Sequence, residues 1–113
     1  MTHADPKRHP MPFTRLEIAV MSLVDGEMQV LLARRAEAPY AGKWALPGGV
    51  LRIDLDASLD AAARRVMRER LGLDLPFLRQ LCAAGGPTRD PRALWALSVV
   101  YRALVPAENV TPL

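Results

Sequence analysis

A single cysteine, Cys82, is all this chain contains, so no internal disulfide can brace it, and a reducing cytoplasm is the expected setting. Aromatic residues are scarce at 5%, and the arginines are scattered, among them those at positions 34, 35, 64, 65, 68, 70, 89 and 92. No basic stripe with interleaved aromatics forms, so the net charge of +3 does not by itself indicate a nucleic-acid partner, and none is expected for this chain alone. No apolar run approaches the ~20 residues a membrane span requires. The longest, Leu94 to Val100, is interrupted by Ser98, so no membrane association is expected. Met1 to Pro10 lacks the apolar stretch of a secretion signal, and residues 1–11 read as a flexible tail.

What is present suits one domain. The chain has 113 residues, 50% of them apolar and 24% charged. Phe13 to Val24 and Met28 to Ala33 are β-type runs separated by Asp25-Gly26, the pattern of a hairpin. Glu37 to Gly49, punctuated by Pro39, Gly42, Pro47, Gly48 and Gly49, reads as a functional loop or a long connector, broken by a short strand near Ala45–Leu46. From Ser58 the pattern turns helical. Ser58 is a good N-cap, Asp60 suits the first turn, and Leu59, Ala62, Ala63, Val66 and Met67 recur at helical spacing until Gly72 ends the segment. Leu78–Ala84 and Ala93–Val105 read as strands flanking the turn-rich Gly85–Arg92, with Cys82 and Trp95 expected in the core. The order predicts an α+β sheet with a helix packed on one face.

The segment Gly42-Lys43-Trp44-Ala45-Leu46-Pro47-Gly48-Gly49, followed by Ser58 to Leu73, resembles the Nudix family. That family's box ends Arg-Glu-U-x-Glu-Glu-x-Gly-U, with U aliphatic; here the stretch reads Arg65-Val66-Met67-Arg68-Glu69-Arg70-Leu71-Gly72-Leu73. The Trp-Ala-Leu-Pro-Gly-Gly opening, the longer loop with Arg52 and Asp54, and Asp90-Pro91-Arg92 look closest to the ADP-ribose-directed branch and its regulator relatives. The resemblance implies an α/β/α sandwich with a mixed sheet, spanning residues 12–113 and truncated before a final strand and helix. It also implies a nucleotide-type ligand and magnesium as the family's cofactor. Either the chain is a fragment or the fold is trimmed; a trimmed fold leaves a sheet edge or face uncovered, so a homodimer is expected.

The departures carry the functional reading. The first glutamate of the box falls on Ala57, reached only by allowing extra residues after Gly49, and two further glutamate places hold Val66 and Arg70. Magnesium needs hard oxygen ligands in octahedral geometry. Positions 66 and 70 are one helical turn apart, so two carboxylates there would clamp an ion, whereas an aliphatic side chain and a fixed cation do not. Glu69 remains as the catalytic or metal candidate. Asp54 and Asp56 are possible substitute carboxylates or plain turn residues.

The ligand-binding candidates are Tyr40, Gly48, Gly49, Arg34, Arg35, Arg52 and Arg70. Arg70 interrupts the apolar stripe and either snorkels to solvent or meets a pyrophosphate in place of the cation. Gly48 and Gly49 admit a tight chain passage or a phosphate. Tyr40 is the better stacking candidate, and Trp44 reads as core. Strand alternation puts Arg34 and Arg35 on opposite faces. Arg65 and Glu69 form an i, i+4 pair, and Leu46, Pro47, Arg65 and Gly72 belong to the structural motif. Ser58 caps the helix, with no base partner evident, and His3 and His9 suggest no chemistry. Three functions remain open: a domain that binds an ADP-ribose-like dinucleotide with weak or no hydrolysis, a magnesium-dependent pyrophosphohydrolase using Glu69 and the loop aspartates, and the ligand-sensing part of a transcription regulator.

Overall fold

The computed structural model describes residues 9–74 and 77–106. Most of the expected tail, with His3, and the expected C-terminal truncation beyond Pro106 fall outside the described residues.

Eight strands and helices follow in the order β1 (Phe13–Val24), β2 (Glu27–Val30), β3 (Ala33–Arg34), β4 (Trp44–Ala45), β5 (Gly48–Val50), α1 (Leu59–Leu71), β6 (Arg79–Gly86) and β7 (Ala96–Leu104). The expected hairpin is present. Asp25 and Gly26 both have positive φ, 50° and 81°, which a two-residue turn between twisted strands demands. Its second arm is shorter than the apolar run suggested. β2 pairs with β1 only from Met21↔Val30 to Val24↔Glu27, and Leu31 donates one last bond to the Val20 carbonyl. Beyond that point β5 takes over the same edge of β1, with Leu16↔Gly49 and Glu17↔Gly48 opposed. One edge cannot serve two partners, so the chain leaves it, and Ala33–Arg34 pairs with Trp44–Ala45 instead.

On its other side β1 runs parallel to β7 from Phe13↔Ala96 to Met21↔Leu104, and β6 joins β7 antiparallel at the edge. The result is a mixed sheet with one helix among the described residues, an α+β arrangement as the sequence predicts.

Alternation along β1 decides the layers. Leu16, Ile18 and Val20 point one way and are essentially fully buried, together with Val99 and Tyr101 of β7. α1 covers them with Ala62, Ala63, Val66 and Met67. The two alanines let the helix approach closely, and each fully buried aliphatic side chain in this layer contributes about 1.5–3 kcal/mol. The helix ends are as expected: the Ser58 hydroxyl accepts from the Ala61 N–H at 3.0 Å, and Gly72 adopts the left-handed conformation at φ 64°. Tyr101 is buried in this core, yet its hydroxyl donates to Asp60 Oδ1 at 2.6 Å. Burial, with that carboxylate beside it, pushes the phenol up to about 12.

Three core expectations are corrected. Cys82 is exposed, because β6 is an edge strand whose residues are covered on neither face among the described residues. Trp95 is 48% exposed, its ring lying over Gly85, where an added Cβ would come within 2.8 Å of the indole Cη2. Trp44 is 63% exposed, since the two-stranded β3–β4 ribbon stands apart from the main sheet.

Candidate functional site

The charged residues of β1 alternate with the core-facing Leu16 and Ile18 and so face away from α1. Arg15 and Glu17 lie on that side, with Arg15 Nε 3.4 Å from Glu17 Oε1. Two adjoining hollows open around them. The larger, about 1020 Å³, is lined by Arg15, Arg34, Arg35, Trp44, Gly48, Arg70 and Arg92 among others. The smaller, about 180 Å³, is lined by Phe13, Arg15, Glu17, Arg35, Tyr40, Arg89 and Arg92. Guanidinium groups therefore converge from β1, β3 and the segment after it, α1, and the β6–β7 connection. Such a concentration of planar donor forks suits an anion with several oxygens.

The loops hold these cations by their backbones. Arg35 Nε donates to the Pro39 carbonyl at 2.6 Å, and Arg34 Nε to the Gly42 carbonyl at 3.1 Å. Gly42 N–H returns a bond to the Arg35 carbonyl, and Lys43 N–H bonds to Tyr40. This closed loop places Tyr40, itself left-handed at φ 63°, at the rim of the smaller hollow, 62% exposed. Arg34 also lies over the Trp44 ring at 5.8 Å. On the far side Asp90 grips Arg92 through both carboxylate oxygens, at 3.0 and 2.7 Å, while Arg92 lies over Phe13 at 5.1 Å. The Arg92 guanidinium holds the Asp90 carboxyl well below its usual range, at about 2. Arg89 Nε donates to Ser98 Oγ at 3.0 Å.

Each of the two glycines has its own constraint. A Cβ at Gly48 would sit 2.7 Å from Glu17 Oε2 and 2.9 Å from the Leu16 carbonyl, and one at Gly49 would meet Val66 Cγ2 at 3.0 Å. Leu46 and Pro47 carry the chain between β4 and β5, and the Pro47 carbonyl accepts from Ile18 N–H at 2.8 Å.

Arg65 has a partner the sequence reading did not assign. Its Nε and Nη2 meet the two Asp56 oxygens at 2.7 and 2.8 Å, Nη2 also reaches the Val50 carbonyl at 2.9 Å, and Nη1 reaches Glu69 Oε2 at 3.0 Å. The Asp56 side chain is 2% exposed and that of Glu69 56% exposed, so Asp56 is the anchor. The bond from Arg65 holds the Asp56 carboxyl below its ordinary range. The extra residues after Gly49 account for this: they form a turn in which Arg52 N–H donates to Asp56 Oδ2 at 2.8 Å. Arg52 itself pairs with Asp54 at 2.7 Å and lines neither hollow.

Among the described residues, the carboxylates on and before α1 are not gathered as a magnesium site would need. Val66 is fully buried against Gly49, Glu69 is engaged by Arg65, and Arg70 faces the larger hollow. Asp54 and Asp56 are each held by an arginine. Among the described residues no three acidic, histidine or cysteine side chains gather in a way that would hold a metal.

A family model for the NUDIX domain matches residues 14–112. The chain belongs to the NUDIX family. This NUDIX chain is 38% identical over 97 residues to the ADPR responsive transcriptional repressor NtrR of Acinetobacter baylyi, and 31% identical over 85 residues to an ADP-ribose pyrophosphatase of Methanocaldococcus jannaschii. Those matches take in 86% and 74% of this chain but 38% and 48% of the relatives, so the chain spans less than half the length of either. Among solved structures it resembles the NUDIX domain of Shewanella oneidensis NrtR complexed with ADP ribose, with a TM-score of 0.78 and 32% identity over 91% of this chain and 66% of that one. A MutT/nudix family protein from Enterococcus faecalis gives the same TM-score at 25% identity, covering 90% of this chain and 40% of that one.

The structure brings Tyr40, Arg34, Arg35, Gly48 and Arg70 around the joined hollows, leaves Arg52 outside them, and turns Gly49 toward the helix. Sequence reasoning passed over Arg15 and Glu17. Their signal was present, as two charges in period-two alternation with Leu16 and Ile18 inside an apolar run.

Proposed function

We propose that this NUDIX domain binds an ADP-ribose-type dinucleotide in the arginine-lined hollows and hydrolyses it slowly or not at all. One observation carries the reading: cations collect where the diphosphate would lie, while the carboxylates that would seat a metal are replaced or tied to arginines. Guanidinium groups bind phosphate oxygens directly and need no bridging ion. Hydrolysis asks for more, namely an activated water and stabilisation of charge developing at phosphorus, which a bound metal supplies in such reactions. Arg70 extends from α1 into the larger hollow and takes the role of one missing positive charge.

Calorimetric titration with ADP-ribose in EDTA tests the binding half of this reading. Saturable binding without any divalent ion is expected, and absence of binding overturns the reading. The similarity to an ADP-ribose-responsive repressor favours one refinement, that the domain senses its ligand for a regulator rather than consuming it. The competing reading, a working pyrophosphohydrolase like the Methanocaldococcus jannaschii relative, would require Asp54 and Asp56 to leave Arg52 and Arg65. We further propose that two copies associate along the exposed edge strand β6, whose outward N–H and C=O groups invite strand pairing.

A further inference from the structure

Glu17 is the one acidic side chain lining the smaller hollow besides Asp90, and Asp90 is fully engaged by Arg92. Its side chain is mostly covered, 16% exposed, with Oε2 beneath Gly48. Oε1 meets Arg15 at 3.4 Å, and among the described residues Oε2 accepts no hydrogen bond. Every other charged group around it is a guanidinium or is neutralised by one: Arg15 from β1, Arg35 after β3, and Arg89 with the Asp90–Arg92 pair from the β6–β7 connection. Burial raises the carboxyl above its ordinary value even against these cations.

Such a place selects its occupant by charge. The arginines around both hollows attract phosphate, but a phosphate oxygen placed against the unpaired Oε2 of Glu17 would be repelled by it at close range. A neutral group with hydroxyl donors meets a free acceptor there instead. The volume of about 180 Å³ admits one group of monosaccharide size. We infer that Glu17 is a specificity-determining residue: it accepts hydrogen bonds from the hydroxyls of an uncharged sugar joined to the diphosphate and turns away diphosphates that end in phosphate. This rests on the reading that the joined hollows hold such a ligand. Gly48 belongs to the device, since any side chain there would collide with Glu17 Oε2.

The test compares ADP-ribose with ADP, in EDTA, on the wild-type chain and on E17Q. The wild type is expected to bind ADP-ribose about 10-fold more tightly than ADP, the scale of one hydrogen bond to a charged group. E17Q should reduce that ratio to about twofold, weakening ADP-ribose and strengthening ADP. A merely structural role would lower both affinities together and leave the ratio unchanged, which overturns the assignment. The methyl ester of ADP, with a neutral cap lacking hydroxyls, reads the same contact on the wild-type chain, so the outcome stands even where E17Q fails to fold. It should bind about 10-fold more weakly than ADP-ribose, and equal affinity overturns the assignment. Failure of ADP-ribose to bind the wild type removes the proposed function itself, whereas binding with an unchanged ratio removes only the role of Glu17.

Discussion

Replacing Asp56 by asparagine tests how the box arginine is held. The Asp56 side chain is 2% exposed and makes three charge-assisted contacts: to Arg65 Nε at 2.7 Å, to Arg65 Nη2 at 2.8 Å and from Arg52 N–H at 2.8 Å. Asparagine keeps one oxygen but turns an NH₂ toward a guanidinium, so one contact becomes donor against donor and Arg65 loses its buried counter-charge. Breaking a buried, hydrogen-bonded ion pair costs about 3–5 kcal/mol, and the partial retention here sets the expectation at about 3 kcal/mol. For a domain of this size that lowers the melting temperature by more than about 10 °C. Glu69→Gln, which removes the exposed partner of the same arginine, should cost no more than about 0.5 kcal/mol. Chemical denaturation of both variants beside the wild type gives the comparison. The pH dependence has a definite sign. The Asp56 carboxyl titrates below its ordinary 3.8 in the folded chain, so its stabilisation is complete above pH 3.8 and is lost as pH falls through the lower, folded value. The gap between wild type and D56N should therefore close in acid. Equal costs for D56N and E69Q would refute the reasoning, because Glu69 would then hold Arg65 as firmly as Asp56 does.

Other outcomes follow from the same geometry. Arg70→Ala should weaken ADP-ribose binding in EDTA about 10-fold without altering the melting temperature, as Arg70 is exposed and has no ion pair among the described residues; unchanged affinity in calorimetry removes it from the site. Gly48→Ala should cost about 1–3 kcal/mol in denaturation, because its Cβ would meet the Leu16 carbonyl at 2.9 Å, and backbone cannot step aside as a side chain can. Light scattering of the purified chain should report a dimer, and a monomer at every concentration would count against pairing along β6.

Much of the fold was legible because its signals were local. Ser58 and Gly72 bound the helix through their own backbone chemistry, and Asp25-Gly26 announces the hairpin because both residues take positive φ. The errors came from competition between distant segments. Nothing within Met28–Ala33 tells that β5 will claim the same edge of β1, so one strand was expected where two short ones form. Cys82, Trp44 and Trp95 look like core by composition, but burial depends on what lies above them, and among the described residues little covers β6 and the β3–β4 ribbon. At the site, Val66 and Arg70 stood out as departures only through the resemblance to the family's box. The partner of Arg65 was not, since the loop that delivers Asp56 departs from the family's length and the i, i+4 neighbour Glu69 offered a nearer answer. Arg15 and Glu17 were passed over because their alternation is submerged in a strongly apolar strand.

We propose that α1 and the loop before it offer a divalent ion no gathered set of free carboxylates. Incubating the chain with ADP-ribose and magnesium, and following AMP release by chromatography, addresses it most directly. Turnover no faster with magnesium than in EDTA, while ADP-ribose still binds, is the predicted result; rapid magnesium-dependent release of AMP would contradict it.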